Sequence, residues 1–146
     1  MRVAASTGFL WMMGVAVACE AIDNPDAPDF VAEFNARAKK YDDDIRRNAT
    51  ATEDVRQAYA AYEQFLEAEL AKAYPAHSAK LPKRSRTKLE RSQADWLKYR
   101  KAEFDFIAEN WTSKTFGSSS VLSRVEYRTA IIRDRVTTLL HYLKNY

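Results

Sequence analysis

Four side chains able to form a polar network recur at the spacing of one helix face: Gln93, Trp96, Arg100 and Glu103. Steps of three and four residues place side chains on the same side of an α-helix. An amide, a guanidinium and a carboxylate can hydrogen-bond around an indole, and a buried ion needs a paired partner. We interpret this face as a structural network, with Trp96 in the core, Arg100 paired with Glu103, and Arg135 linking the last helix. The alternative is that the network borders a recognition surface.

The residues around this face resemble the signature of a known family. Leu89 stands one turn before Gln93, Gly117-Ser118 lies in a loop, and Ile132, Arg135 and Leu139 share a face near the C-terminus. The arrangement is similar to that of the LprI-type lysozyme inhibitors, which are small exported helical proteins. The likeness is good over roughly the last sixty residues and loose over residues 51–74. It implies a helical fold and a non-enzymatic protein that binds a peptidoglycan-cleaving enzyme.

The sequence departs from the family pattern at Ile132, which stands in place of a threonine, and at two cysteine positions. Phe104 and Tyr127 stand where the resemblance implies cysteines, so a disulfide between the last two long helices is replaced by two aromatic rings. Aromatic pairs add about 0.5–1.5 kcal/mol beyond burial, less than the ~2–4 kcal/mol of a typical disulfide. We expect the two rings to be in contact.

The N-terminus resembles an export signal. Residues 3–18 are uncharged and almost wholly apolar or small, Arg2 precedes them, and Ala16-Val17-Ala18 fits a cleavage site. Cys19, the single cysteine, follows at once, as in a lipobox. We expect residues 1–18 to be a signal peptide, Cys19 to be lipidated and residues 19–27 to be a tether. A soluble secreted protein cleaved at the same bond and a retained membrane anchor are the alternatives.

The remaining chain, residues 28–146, has the composition of an all-α domain. Gly and Pro number three and four in the whole sequence, and runs of β-branched residues are nearly absent. Apolar periodicity predicts a bundle of about four helices and no sheet. The predicted helices span residues 28–47, 51–74 (ended by Pro75), 87–110 and 120–144, with a basic linker over residues 75–86.

Charge is divided unevenly along the chain. Residues 20–70 contain thirteen acidic and six basic residues, a net charge of −7, whereas residues 71–146 contain seven and sixteen, a net charge of +9. Helices of opposite sign can simply pack together, or the two halves can be separate binding surfaces. In the second case the candidate target-binding surface is acidic, and its residues are Asp42, Asp43, Asp44, Glu53 and Asp54.

No catalytic or metal-binding motif is evident in the sequence. His77 and His141 lack metal-ligand spacing to another His, Cys or acid, and no Gly-rich phosphate loop occurs. We therefore expect a protein without cofactor, metal or nucleic-acid partner, located in the periplasm or on the outer membrane of a bacterium. It would inhibit a muramidase or confer immunity to a toxin; the alternative is a structural or assembly adaptor in the cell envelope.

Overall fold

The structure is a computed structural model, and it describes residues 27–48 and 51–146. Positions 1–26, with the predicted signal peptide, Cys19 and nearly all of the tether, lie outside the described residues. The described part is all-α and contains no strand, which confirms the predicted fold class. The helices are α1 (Phe30–Asp43) with a π-helical turn (Asp44–Asn48), α2 (Thr52–Lys80), α3 (Lys83–Asn110), a short α4 (Ser113–Phe116) and α5 (Ser119–Lys144).

The core lies mainly between α2 and α5, which pack along each other. Leu66 of α2 and Ile132, Val136 and Leu139 of α5 are fully buried, and Phe34 of α1 covers one side of this layer. Apolar residues three and four positions apart produce the buried stripes of both helices. None of the described helices is both long and apolar enough to cross a membrane.

The predicted end of the second helix at Pro75 is wrong, because α2 continues through Pro75 to Lys80. A proline inside a helix removes one backbone hydrogen bond, here to the carbonyl of Ala71. Both residues are exposed, so water can satisfy that carbonyl. Beyond the proline, burial of His77 and Leu81 favours continuation of the helix.

The predicted basic linker over residues 75–86 is also wrong. The break between α2 and α3 is confined to Leu81 and Pro82. Arg86 stabilises this corner, because its guanidinium donates to the carbonyl oxygens of Ser78 and Leu81 at 3.1 Å each. These carbonyls belong to the end of α2, where helical partners are missing. The basic residues of the linker therefore belong largely to helix ends.

Two further contacts determine how α1 begins and where it packs. Asp29 caps the helix by accepting from the Ala32 amide at 2.9 Å, so the helix starts after Pro28 rather than at it. Arg37 donates to the buried carboxylate of Glu69 on α2 at 2.6 Å, and Lys72 donates to the same carboxylate. Burial alone would raise the pKa of Glu69, but the two cations hold it below its usual value.

Candidate functional site

The signature face of α3 packs against α5 through Gln93 and Trp96. Arg135 donates from Nε and Nη2 to Gln93 Oε1 at 3.0 and 2.8 Å. The Arg135 guanidinium also lies 5.7 Å from the centre of the Trp96 ring. Burial lowers the pKa of Arg135, although an arginine remains charged in proteins. The predicted link between α3 and the last helix is therefore present in the structure.

Trp96 is only half-buried and packs against the edge of the core, so its predicted place inside the core is wrong. The cause is the position of α3, which buries only Leu89 and Ile107 and lies along the side of the α2–α5 layer. Trp96 instead contacts guanidinium groups, since Arg100 lies 5.1 Å from its ring centre in addition to Arg135.

The predicted ion pair between Arg100 and Glu103 is absent from the described residues. Arg100 instead donates to Glu67 of α2 at 2.7 Å. The sequence alone does not show that Arg100 pairs with Glu67, because the pairing depends on how α2 and α3 pack. Glu103 instead lines a groove between α3 and α5.

Aromatic rings and guanidinium groups alternate along the inner side of α3. Phe104 lies between Arg100 at 5.7 Å and Arg128 of α5 at 4.5 Å, and Arg128 pairs with Glu63 of α2 at 2.6 Å. Cation–π contacts of this kind contribute about 0.5–1 kcal/mol at exposed sites. We call this series the arginine–aromatic column; its members are Arg135, Trp96, Arg100, Phe104 and Arg128.

Arg128, Glu63 and Glu67 were not predicted from the sequence, although their spacing places them on the same faces as known members of the network. Arg128 precedes Arg135 by seven residues, which is two helical turns, and Glu63 and Glu67 are four residues apart on α2. The expected contact between Phe104 and Tyr127 is not among the ring pairs of the described residues. Tyr127 packs against Trp111 at 4.9 Å instead, because Phe104 is occupied by the column.

The five candidate acidic residues lie at two consecutive helix ends, and we call them the acidic end. Asp42 and Asp43 close α1, Asp44 opens the π-helical turn, and Glu53 and Asp54 lie in the first turn of α2. Asp54 accepts from the Ala51 amide at 3.2 Å, at the N-terminal end of α2.

Cations of the same chain neutralise much of the acidic end. Asp42 pairs with Arg133 of α5 at 3.3 Å, and Lys39 lowers the pKa of Asp43 through a hydrogen bond. Hydrogen bonds from Arg56 and Gln57 lower the pKa of Glu53 to about 2. The carboxylates of Asp43 and Glu53 are therefore ionised at neutral pH. The neighbouring cations make the field of the acidic end weaker than the sequence charge implies.

A family model described as Lysozyme inhibitor LprI matches residues 44–139. The match covers more than half of the chain and includes α2, α3, α4 and most of α5. This chain belongs to the LprI lysozyme inhibitor family. Neither the curated proteins nor the solved structures include a significant match to it. The arginine–aromatic column of this LprI family member lies wholly within the matched segment, whereas α1 precedes it.

Proposed function

We propose that this LprI family member is an exported, non-enzymatic protein that binds and inhibits a lysozyme-like peptidoglycan-cleaving enzyme. The observation that carries the proposal is the family match over residues 44–139. An immunity protein against a toxin with the same activity is a close variant of this function. In both cases the partner is a protein.

The described helices are suited to such binding. Ion pairs from α3 and α5 to α2, together with the column, hold long helices in register. Rigid elements present a binding surface at low entropic cost. Lysozymes are usually cationic, so we propose the acidic end as one contact surface; the local pairing of its carboxylates predicts a modest contribution to association.

The test is inhibition of a panel of purified muramidases, including cationic lysozymes, by the exported chain. The variant Asp43→Asn with Glu53→Gln removes two charges from the acidic end, and Glu90→Gln with Glu109→Gln removes two from exposed positions of α3 as a matched control. We expect the first variant to slow association a few-fold at low salt and the control to have a smaller effect. Equal association rates for the two variants would show that the acidic end is not a contact surface. If no muramidase in the panel is inhibited, the proposed inhibitor function is wrong.

The alternative function, an adaptor in the cell envelope, is favoured by a basic groove of about 290 Å³ between α2, α3 and α5. Arg56, Arg124 and Arg128 line it, and Arg128 Nε is buried without a hydrogen-bond partner in the described part of the chain. Such a groove suits an anionic polymer. Pelleting of the chain with insoluble peptidoglycan, without inhibition of any muramidase, would support the adaptor over the inhibitor.

We further propose that the protein acts outside the cytoplasm and is anchored through a lipid on Cys19. The family description supports an extracytoplasmic location, and the sequence around Cys19 supports the anchor. We expect Cys19→Ala to release the protein from the membrane fraction or to block its processing. Mass spectrometry and fractionation measure both effects, and unchanged mass and membrane association would contradict the prediction.

A further inference from the structure

A second groove of about 290 Å³ runs between the C-terminal half of α3 and α5. Four aromatic residues line it, and two carboxylates, one from each helix, stand among them. Tyr99 is 52% exposed, Phe106 54% and Tyr127 41%. We call this the acidic aromatic groove; the six residues are Tyr99, Phe106, Trp111, Tyr127, Glu103 and Asp134.

Side chains of this groove lack the partners that similar residues have elsewhere in the protein. Along the column, both Trp96 and Phe104 have guanidinium groups over their rings. Within residues 27–48 and 51–146, no cation of the chain lies over the four rings of the groove. No ion pair of these residues includes either of its carboxylates, whereas Glu63, Glu67 and Glu69 are all paired with arginines.

We propose that this groove receives an arginine side chain from the surface of the target enzyme. The proposal rests on the proposed function and identifies the contact surface. Aromatic faces attract a guanidinium, and a carboxylate can accept two of its N–H groups. Residues of the column show the same preference inside the protein, where Arg100 lies against Trp96 and pairs with Glu67.

Charge and packing favour this occupant over the alternatives. A purely apolar segment would leave Glu103 and Asp134 desolvated without a partner, which is costly. An anion would be repelled by both. The ring pairs of Trp111 with Phe106 at 5.6 Å and with Tyr127 at 4.9 Å hold the wall in place before binding. Aromatic side chains in such a pocket are typical of interface hot spots.

The main test uses the variant Glu103→Gln with Asp134→Asn, which removes both charges and keeps the shape of the groove. We expect the inhibition constant for the most strongly inhibited muramidase to rise at least about tenfold. The control Glu90→Gln with Glu109→Gln removes the same charge from exposed positions of α3 and should change it less than about twofold. An unchanged constant in the groove variant, with melting temperatures equal, would overturn the groove and leave the inhibitor function standing.

A second measurement does not depend on any inhibited enzyme. We expect acetyl-arginine-amide to shift the NMR signal of the Trp111 indole N–H in a saturable manner, and the uncharged isostere acetyl-citrulline-amide to leave it in place. The shift should disappear in the groove variant. Absence of a shift in the unmodified protein would overturn the proposal. Concentration-dependent dimerisation lost in the groove variant would also overturn it, because the occupant would then be a second copy.

Discussion

Replacing Leu66 with alanine is expected to lower the free energy of unfolding by about 3–5 kcal/mol, the cost of emptying a fully buried leucine site. Leu66 is 0% exposed and lies in the layer between α2 and α5. Replacing Trp96 with alanine is expected to cost less, about 2–3 kcal/mol, because its ring is only partly buried at the edge of the core, although it also loses contacts with two guanidinium groups. Leu66 therefore contributes more to stability than Trp96, although its side chain is smaller.

Thermal and urea unfolding of the two variants measure this difference. We expect Leu66→Ala to lower the melting temperature by roughly 10–20 °C, with an unchanged dependence of stability on urea concentration. The ranking would be reversed if Trp96 were the central core residue that its position in the signature suggested. In that case α3 would have to pack more deeply against the α2–α5 layer than the structure shows.

The sequence predicted the helices well where apolar periodicity was strong. The inward residues of α5 repeat at three and four positions, and they are buried as expected, as Ile132, Val136 and Leu139 show. The helix end predicted at Pro75 is wrong, because burial of residues further along the chain outweighs the general tendency of proline to end a helix. The outcome depends on whether the freed carbonyl faces water, which the sequence does not reveal.

The polar network was predictable within one helix but only partly between helices. The spacing of Gln93, Trp96 and Arg100 identified a common face, and the family pattern added Arg135. The acids that complete the network lie on α2, and a single sequence does not specify which helix packs there. The acidic aromatic groove could not be predicted for the same reason, since Glu103 and Asp134 come together only when α3 lies beside α5.

Replacing Arg133 with methionine is expected to lower the free energy of unfolding by about 2 kcal/mol. Arg133 joins three helices: it donates to the Tyr62 hydroxyl at 2.6 Å, to Asp42 at 3.3 Å and to Asn35 at 3.0 Å. The side chain is 33% exposed, so solvent screening reduces the cost below that of a fully buried ion pair. Methionine keeps much of the stem but leaves Tyr62, which is 4% exposed, without this donor.

The control is Arg91→Met on α3, whose side chain is 81% exposed. It should change stability by less than about 0.5 kcal/mol, as most surface changes do. A double-mutant cycle of Arg133→Met with Tyr62→Phe should give a coupling of about 1 kcal/mol, since the two side chains share a hydrogen bond. Zero coupling in urea unfolding would contradict the contact.

This role of Arg133 also limits how the acidic end can be tested. The sequence alone predicts that reversing Asp42, Asp43 and Asp44 to lysine weakens binding with little effect on the melting temperature. In the structure the reversal at Asp42 removes a partner of Arg133 and places a second cation beside it, so we expect that triple variant to melt at a lower temperature. Loss of inhibition in it would then reflect displacement of α1 as well as lost charge. Neutralising Asp43 and Glu53 leaves the Arg133 contacts intact, and it therefore separates binding from folding.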